Sequence, residues 1–142
     1  MEVWVRNELL LFEVRWTGNG DVGSGWPRSF FCSFCGVTVS PSDLAARLQS
    51  EAPPRLLDVR EAEEHAFCAL PDSRWVPLSE LMERVEDLAD WRTQEVVVYC
   101  HHGVRSAHAI ALLRQFGFTR LFNLSGGIDR WSLEVDPKVP RY

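Results

Sequence analysis

The chain has little cysteine and no long apolar segment. It holds 4 cysteines among 142 residues, too few for the disulfide framework of a small secreted protein. No apolar run approaches the roughly 20 residues of a membrane-spanning helix. Residues 9–12 are apolar but too few for the core of a signal peptide, and Glu8 and Glu13 flank them. We therefore expect a cytoplasmic protein that does not associate with membranes.

Positive charge is also scarce. The chain has 15 Lys and Arg residues against 20 Asp and Glu, a formal net charge of −5. This balance argues against nucleic acid as a partner, and it means that an anionic substrate needs a local positive patch. With 46% hydrophobic and 25% charged residues, the composition is ordinary for a globular protein. The length allows one domain with a proper core.

The sequence is organised around Cys100. Residues 95–99 are apolar and β-branched, which predicts a buried strand. Residues 107–116 carry apolar side chains at helical spacing, which predicts a helix. Cys100 therefore lies at the C-terminal end of a strand, before a short loop and a helix. Open α/β sheets place their active sites at this edge.

The loop after Cys100 favours a negative charge on its sulfur. Unpaired N–H groups at a helix start and the positive charge of Arg105 both stabilise a thiolate, which is the reactive form of cysteine. Gly103 permits a backbone turn that is closed to other residues, so the loop can direct its N–H groups toward the sulfur. These features predict a nucleophilic Cys100. The alternative is a buried structural thiol.

Two histidines, His101 and His102, follow Cys100 directly. Adjacent histidines can bind a metal, but no Asp, Glu or Cys at a matching spacing supports such a site. We expect neither a metal nor a cofactor. We expect both rings at the mouth of the pocket, where their N–H groups bind a substrate anion. Because histidine is partly protonated near neutrality, activity should depend on pH.

The loop sequence CHHGVRS, residues 100–106, resembles the active-site loop of the rhodanese family of sulfurtransferases. The resemblance extends from Val37 to the end of the chain. Three further segments carry it: LLDVR at 56–60 with Glu64, VPLSEL at 76–81, and LSGGI at 124–128 with Trp131. One segment departs from the family pattern, since residues 68–73 read CALPDS where members often have Gly-His-Ile-x-Gly-Ala.

The resemblance implies a rhodanese-like α/β fold with a central parallel five-stranded sheet and helices on both faces. It implies that residues 37–142 form this domain and that Cys100 carries a persulfide. Substrate and persulfide would be bound by the loop residues His101, His102, Gly103, Val104 and Arg105. A thiosulfate sulfurtransferase of this kind takes sulfane sulfur from thiosulfate or a similar small anionic donor. It passes the sulfur to cyanide, a thiol or a protein acceptor.

Two other functions stay open. A domain with the same loop can be a sulfur carrier or regulatory module for a partner protein, loading sulfur once without turnover. A cysteine phosphatase or arsenate reductase is less favoured. Loops of the tyrosine-phosphatase type place five residues between cysteine and arginine, whereas four separate Cys100 from Arg105. The tighter loop suits a single sulfur atom better than an anion with four oxygens.

Two charged residues near the end of a predicted strand, residues 55–59, are candidates for supporting roles. Asp58 is expected to cap the turn into the next helix, with a catalytic role as the less favoured alternative. Arg60 either adds positive charge to the pocket or forms a surface ion pair with Glu63 or Glu64.

Residues 1–36 are predicted to form an N-terminal extension, either a hairpin or poorly ordered. Alternating apolar residues favour the hairpin. Cys32 and Cys35 lack the second pair that a zinc site needs, so they are expected to be structural or surface thiols, with a redox role open. Cys68 is expected to be a buried thiol, with a resolving role open.

Local patterns predict the helices of the domain. Ser40 as N-cap and Pro41 at the first helical position predict a helix that begins at residue 41. Apolar residues at helical spacing predict a second helix over 78–88: Leu78, Leu81, Met82, Val85 and Leu88. Gly117 is expected to end the helix after the catalytic loop. Gly126 and Gly127 are expected to lead into a short helix through Trp131.

Overall fold

The computed structural model describes residues 3–7, 10–14 and 37–142. Strand β1 (Val3–Asn7) pairs antiparallel with strand β2 (Leu10–Val14), and Val3 lies opposite Val14. This strand pair and residues 37–142 belong to separate compact units. The expectations for Cys32 and Cys35 fall outside the described residues.

Within residues 37–142, five strands form one sheet in the order β3-β7-β6-β4-β5. Every neighbouring pair in this sheet is parallel, as predicted. The strands are β3 (Val37–Val39), β4 (Arg55–Asp58), β5 (Ser73–Trp75), β6 (Glu95–Tyr99) and β7 (Arg120–Leu124). Since β6 lies in the middle, the residue that follows it reaches the centre of the C-terminal edge.

Helices cover both faces of the sheet, as predicted. They are α1 (Pro41–Leu48), α2 (Ala62–Phe67), α3 (Leu81–Arg84), α4 (Val104–Gln115) and α5 (Gly127–Glu134). Alternate residues of β6 enter two separate apolar cores. Val96, Val98 and Cys100 pack in the core that contains residues of α3 and α4. Val97 and Tyr99 pack in the core that contains residues of α1 and α5. Both faces of β6 are thus buried, which explains its uninterrupted apolar sequence.

Helix α1 begins as its sequence predicts. Ser40 is the N-cap, and its hydroxyl oxygen accepts a hydrogen bond from the Asp43 N–H at 3.2 Å. Pro41 occupies the first turn, where its missing N–H costs no helical hydrogen bond.

The prediction of one continuous helix over 78–88 is wrong. The segment is a 3₁₀ turn at Leu78–Glu80, the short helix α3, and a second 3₁₀ helix at Val85–Trp91. The buried residues Val85, Leu88 and Trp91 recur every third position, which matches the three residues per turn of a 3₁₀ helix. Met82, predicted to lie on the buried face, is 60% exposed.

Helix α4 begins three residues earlier than predicted, at Val104 instead of Ala107. Gly103 caps it with φ +108°, a left-handed conformation that other residues adopt only with strain. The turn therefore closes within residues 100–103, and Arg105 and Ser106 lie in the first helical turn. Gly117, with φ +88°, follows the end of the helix as predicted. None of the helices in the described part of the chain is both long and apolar enough to cross a bilayer.

Candidate active site

Cys100 is buried at the C-terminal end of the central strand, with its sulfur beneath the start of helix α4. The Gly103 N–H donates a hydrogen bond to Cys100 Sγ at 3.0 Å. The Ser106 hydroxyl oxygen lies 3.4 Å from the same sulfur. Val104 is the first residue of the helix, and its side chain is 67% exposed. A negative charge on Sγ would therefore meet a backbone N–H and the positive end of a helix dipole.

Asn123, at the end of β7, holds this loop in shape. Its Nδ2 donates to the Gly103 carbonyl at 2.9 Å, and its Oδ1 accepts from the Ser106 hydroxyl at 2.6 Å. One amide side chain therefore fixes both the backbone turn at Gly103 and the first helical turn of α4. The sequence analysis missed Asn123 because it belongs to a strand 20 positions after Gly103.

The N-terminus of α5 holds the loop from the other side. The Ile128 N–H donates to the Cys100 carbonyl at 2.9 Å, and the Asp129 N–H donates to the His101 carbonyl at 3.2 Å. Because these carbonyls point toward α5, the loop can turn its N–H groups toward the sulfur. Gly127 makes the contact close: a Cβ there would lie 2.2 Å from the His101 carbonyl oxygen.

Gly127→Ala is expected to displace the catalytic loop. The added methyl group would overlap backbone atoms, and Gly127 has φ +63°, so alanine would also cost about 1–2 kcal/mol of backbone strain. Gly117→Ala is the matched control, since its φ is also positive but the nearest atom, Arg92 Cδ, lies 3.9 Å from the added Cβ. Chemical denaturation should show a larger loss in the free energy of unfolding for Gly127→Ala than for Gly117→Ala. Slow sulfur loading on Cys100 is expected for Gly127→Ala alone. Equal behaviour of the two variants would contradict this role of α5.

The Arg105 guanidinium forms an ion pair with a carboxylate. Its two terminal nitrogens donate to the two oxygens of Glu64, at 2.5 and 2.7 Å. The hydrogen bonds from Arg105 lower the pKa of Glu64 to about 2, and the hydrogen bond to Glu64 is the main cause that raises the pKa of Arg105. Arg105 therefore lies in the first turn of α4 as half of an ion pair with Glu64. The sequence indicated Glu64 as part of the resemblance and as a candidate partner of Arg60, but not as the partner of Arg105.

The two histidines occupy different environments. The His101 ring stacks between His102 and Tyr142, with ring centroids 3.9 and 4.1 Å away, and its Nε2 is buried without a hydrogen-bond partner. Burial, followed by the neighbouring His102, lowers the pKa of His101. The lowered pKa reduces the fraction of His101 that is protonated near neutrality. His102 is 64% exposed and lies at the mouth.

Asp58 and Arg60 form a buried ion pair below the loop. Both side chains are fully buried, and Arg60 NH2 lies 2.6 Å from Asp58 Oδ2. The Arg60 N–H also donates to Asp58 Oδ1 at 3.1 Å, so Asp58 does cap this turn. Although burial opposes it, hydrogen bonds to Asp58 and Tyr142 raise the pKa of Arg60.

Of the two alternatives for Arg60, the surface ion pair with Glu63 or Glu64 is wrong. Its guanidinium reaches Glu64 only through the backbone carbonyl, at 3.3 Å. Asp58 also accepts hydrogen bonds from the Tyr99 hydroxyl at 3.1 Å and lies 2.8 Å from His65 Nδ1. A buried guanidinium needs a carboxylate partner and hydrogen bonds to offset its loss of hydration. Sequence periodicity alone does not show that Arg60 and Asp58 form such a pair.

The segment that departs from the family pattern contains one residue with a left-handed backbone conformation. Asp72 stands where the pattern has its second glycine, and it has φ +59°. Aspartate tolerates this left-handed conformation better than most residues. Cys68 is a half-buried free thiol whose Sγ contacts the Pro140 carbonyl at 3.5 Å.

Tyr142 reaches the site and was missed by the sequence analysis. Its hydroxyl donates to Glu64 Oε1 and accepts from Arg60 NH1, both at 2.9 Å. These contacts join residues 78 and 82 positions apart, so no local signal could have found them.

Comparison with known proteins identifies the family of this fold and loop. Residues 40–134 match the sequence profile of the rhodanese-like domain. A sulfurtransferase of Allochromatium vinosum is 33% identical over 101 residues, which cover 71% of this chain and 92% of that protein. The structure of the human single-domain sulfurtransferase TSTD1 superposes with a TM-score of 0.60 and 30% identity, covering 68% of this chain and 96% of that one.

Longer proteins contain a similar segment. The probable adenylyltransferase/sulfurtransferase MoeZ of Mycobacterium tuberculosis is 33% identical over 108 residues, 75% of this chain. The matching segment spans only 27% of the MoeZ length.

Proposed function

The chain belongs to the family of rhodanese-like domains, and from this membership we propose that it is a thiosulfate sulfurtransferase working through Cys100. It takes sulfane sulfur from thiosulfate or a similar small anionic donor. It passes the sulfur to cyanide, a thiol or a protein acceptor. A thiol that must stay reduced to work favours a reducing compartment such as the cytoplasm.

The reaction has two half-steps. In the first, the Cys100 thiolate attacks the outer sulfur of thiosulfate, the S–S bond of the donor breaks, and sulfite leaves with the bonding electrons. Cys100 then carries a persulfide with one negative charge. In the second, cyanide attacks the outer sulfur of the persulfide, thiocyanate leaves, and the thiolate is restored.

The hydrogen bond from Gly103 N–H to Cys100 Sγ is the observation that carries this proposal. It brings a fixed donor to the sulfur that bears the negative charge before the first half-step and again after the second. Such a preorganised donor stabilises the charge without reorganising during the reaction. Gly103 and Arg105, with the backbone of His101, His102 and Val104, are proposed to bind donor and persulfide.

A sulfur carrier for a protein partner is the second candidate, and the similarity to part of the longer MoeZ favours it. Turnover separates the two. The protein is mixed with thiosulfate and excess cyanide, and thiocyanate is measured over time. An enzyme produces many equivalents of thiocyanate per Cys100. A carrier would take up one sulfur atom and release it only to its partner protein, so it would form no thiocyanate with cyanide, and this result would contradict the thiosulfate sulfurtransferase assignment.

Arg105→Ala is expected to weaken the use of thiosulfate. A hydrogen bond to a charged group contributes roughly 1.5–3 kcal/mol, which corresponds to about a 10- to 150-fold loss in kcat/KM for thiosulfate. The loss also includes repulsion from Glu64, which the variant leaves unpaired. Steady-state thiocyanate formation measures it, with Arg120→Ala as the control because Arg120 pairs with Glu95 at the start of β6. Unchanged thiosulfate kinetics in Arg105→Ala would remove Arg105 from donor binding.

A further inference from the structure

Three arginines near the catalytic loop are each paired with a carboxylate. Arg105 pairs with Glu64, and the buried Arg60 pairs with Asp58. The third pair is Arg141 with Asp129, at 2.7 Å. In addition, the His101 ring has a lowered pKa, mainly because of burial. The side-chain charges of these pairs therefore cancel near a loop expected to receive an anionic donor.

Glu64 is held firmly in its position. Its Oε2 accepts from Arg105 and from the Glu61 N–H at 3.0 Å. Its Oε1 accepts from Arg105 and from the Tyr142 hydroxyl at 2.9 Å. With two partners on each oxygen, the carboxylate is fixed against the guanidinium. Its pKa of about 2, lowered mainly by Arg105, keeps it ionised at any working pH.

The negative charge of Glu64 lies close enough to act on the loop. It raises the pKa of His101, against the stronger effect of burial, and the pKa of Arg105 responds to both Glu64 and Cys100. A donor that approaches the Cys100 thiolate therefore meets the Arg105 charge already offset by Glu64. Coulomb repulsion from a fixed carboxylate grows in proportion to the charge of the donor.

We propose that Glu64 is a specificity-determining residue, which makes this site use sulfane sulfur donors with a single negative charge more readily than dianionic donors such as thiosulfate. Organic thiosulfonates and persulfides have this charge, whereas thiosulfate has two. This inference rests on the proposed function, since it concerns the donor of the same Cys100 reaction.

Tyr142 is a positioning residue in this account. Its hydroxyl bridges Glu64 and Arg60, and its ring stacks on His101 at 4.1 Å. The segment that carries Tyr142 is itself anchored, because Arg141 pairs with Asp129 and the Val139 carbonyl accepts from the Ser132 hydroxyl at 2.6 Å. Removing the hydroxyl alone should loosen Glu64 and leave the ring in place.

The two probe donors are thiosulfate and methanethiosulfonate. With each, the Cys100 thiolate attacks the terminal sulfur and forms the same persulfide. The S–S bond breaks in both cases, and its electrons leave with sulfite from thiosulfate or with methanesulfinate from methanethiosulfonate. The donors thus share the bond that is broken and differ in charge, −2 against −1.

The test compares second-order rates of sulfur loading for the two donors in Glu64→Gln and Glu95→Gln. Glu95 is a matched control: its side chain is 23% exposed against 20% for Glu64, and it also accepts hydrogen bonds from arginines. It lies at the start of β6, roughly 16 Å along the strand from Cys100. Both variants change the net charge by the same amount. The ratio of the two rates does not depend on the fraction of folded protein.

Glu64→Gln is expected to raise the loading rate about tenfold for thiosulfate and about threefold for methanethiosulfonate, since the repulsion scales with donor charge. The preference for methanethiosulfonate should fall about threefold. Tyr142→Phe should change the ratio of the two loading rates in the same direction as Glu64→Gln, but by a smaller factor. Glu95→Gln should leave this ratio unchanged.

Other outcomes overturn the inference in distinguishable ways. If wild type loads sulfur from both donors but Glu64→Gln leaves the ratio unchanged, the specificity role fails and the proposed function stands. If Glu64→Gln lowers the thiosulfate rate selectively, Glu64 instead positions Arg105 for dianions. If neither donor loads Cys100 in wild type, both the proposed function and this inference fail.

Discussion

Replacing Cys100 with serine is expected to abolish sulfur loading completely. A serine hydroxyl is not ionised near neutral pH, and its oxygen cannot form the S–S bond of a persulfide. The substitution changes one atom of a buried side chain, and serine can keep the contacts to Gly103 and Ser106. Thermal unfolding should therefore show a folded variant, so that the loss is chemical.

Cys68→Ser is the control for this variant. Cys68 is the other free thiol in the described part of the chain, half-buried beside the Pro140 carbonyl. Thiocyanate formation from thiosulfate and cyanide should be undetectable in Cys100→Ser and close to wild type in Cys68→Ser. Residual turnover in Cys100→Ser, or loss of turnover in Cys68→Ser, would contradict the assignment of Cys100 as the nucleophile.

Arg60→Met is expected to cost about 3–5 kcal/mol of the free energy of unfolding, the usual cost of leaving one member of a buried ion pair alone. The variant removes the hydrogen bonds of Arg60 to Asp58, to the Cys68 carbonyl and to Tyr142. A small domain has only about 5–15 kcal/mol of stability in total. This substitution should therefore be among the most damaging to the fold.

Urea denaturation measures this cost against Arg120→Met. Arg120 pairs with Glu95 at 3.1 Å, but its side chain is 58% exposed, and exposed pairs contribute roughly 0–1 kcal/mol. The double variant Asp58→Asn with Arg60→Met should recover part of the loss, because it no longer buries an unpaired charge. Equal losses for Arg60→Met and Arg120→Met would show that the buried pair is not what stabilises this edge of the sheet.

The sequence predicted the elements whose signals are local. The apolar run of β6 followed by Cys100, Gly103 and Arg105 predicted a strand, a turn and a helix, and the structure has all three. The family resemblance implied the parallel five-stranded sheet and its cover of helices, and the structure has both. Where the local pattern was ambiguous, the prediction failed: apolar residues near Val85 fit a helix of either 3.6 or 3 residues per turn, and packing selects the tighter one.

The partners of the site residues could not be predicted. The sequence shows Arg60 and Arg105 as charged residues, but their carboxylate partners differ in burial, and burial depends on the tertiary fold. Tyr142 is the clearest case, since its contact to Glu64 spans 78 positions. Asn123 lies near the end of a strand, and the strand pattern does not indicate its contacts to the loop. These long-range contacts determine the charge around Cys100. Local sequence patterns therefore cannot predict which donor the site prefers.

The central claim is that Cys100 accepts one sulfane sulfur atom, and intact mass spectrometry of the wild-type protein after thiosulfate treatment tests it most directly. The account predicts a gain of one sulfur atom per chain, located on the peptide that contains Cys100 and removed by cyanide. An unchanged mass, or an added sulfur located on Cys32, Cys35 or Cys68, would contradict it.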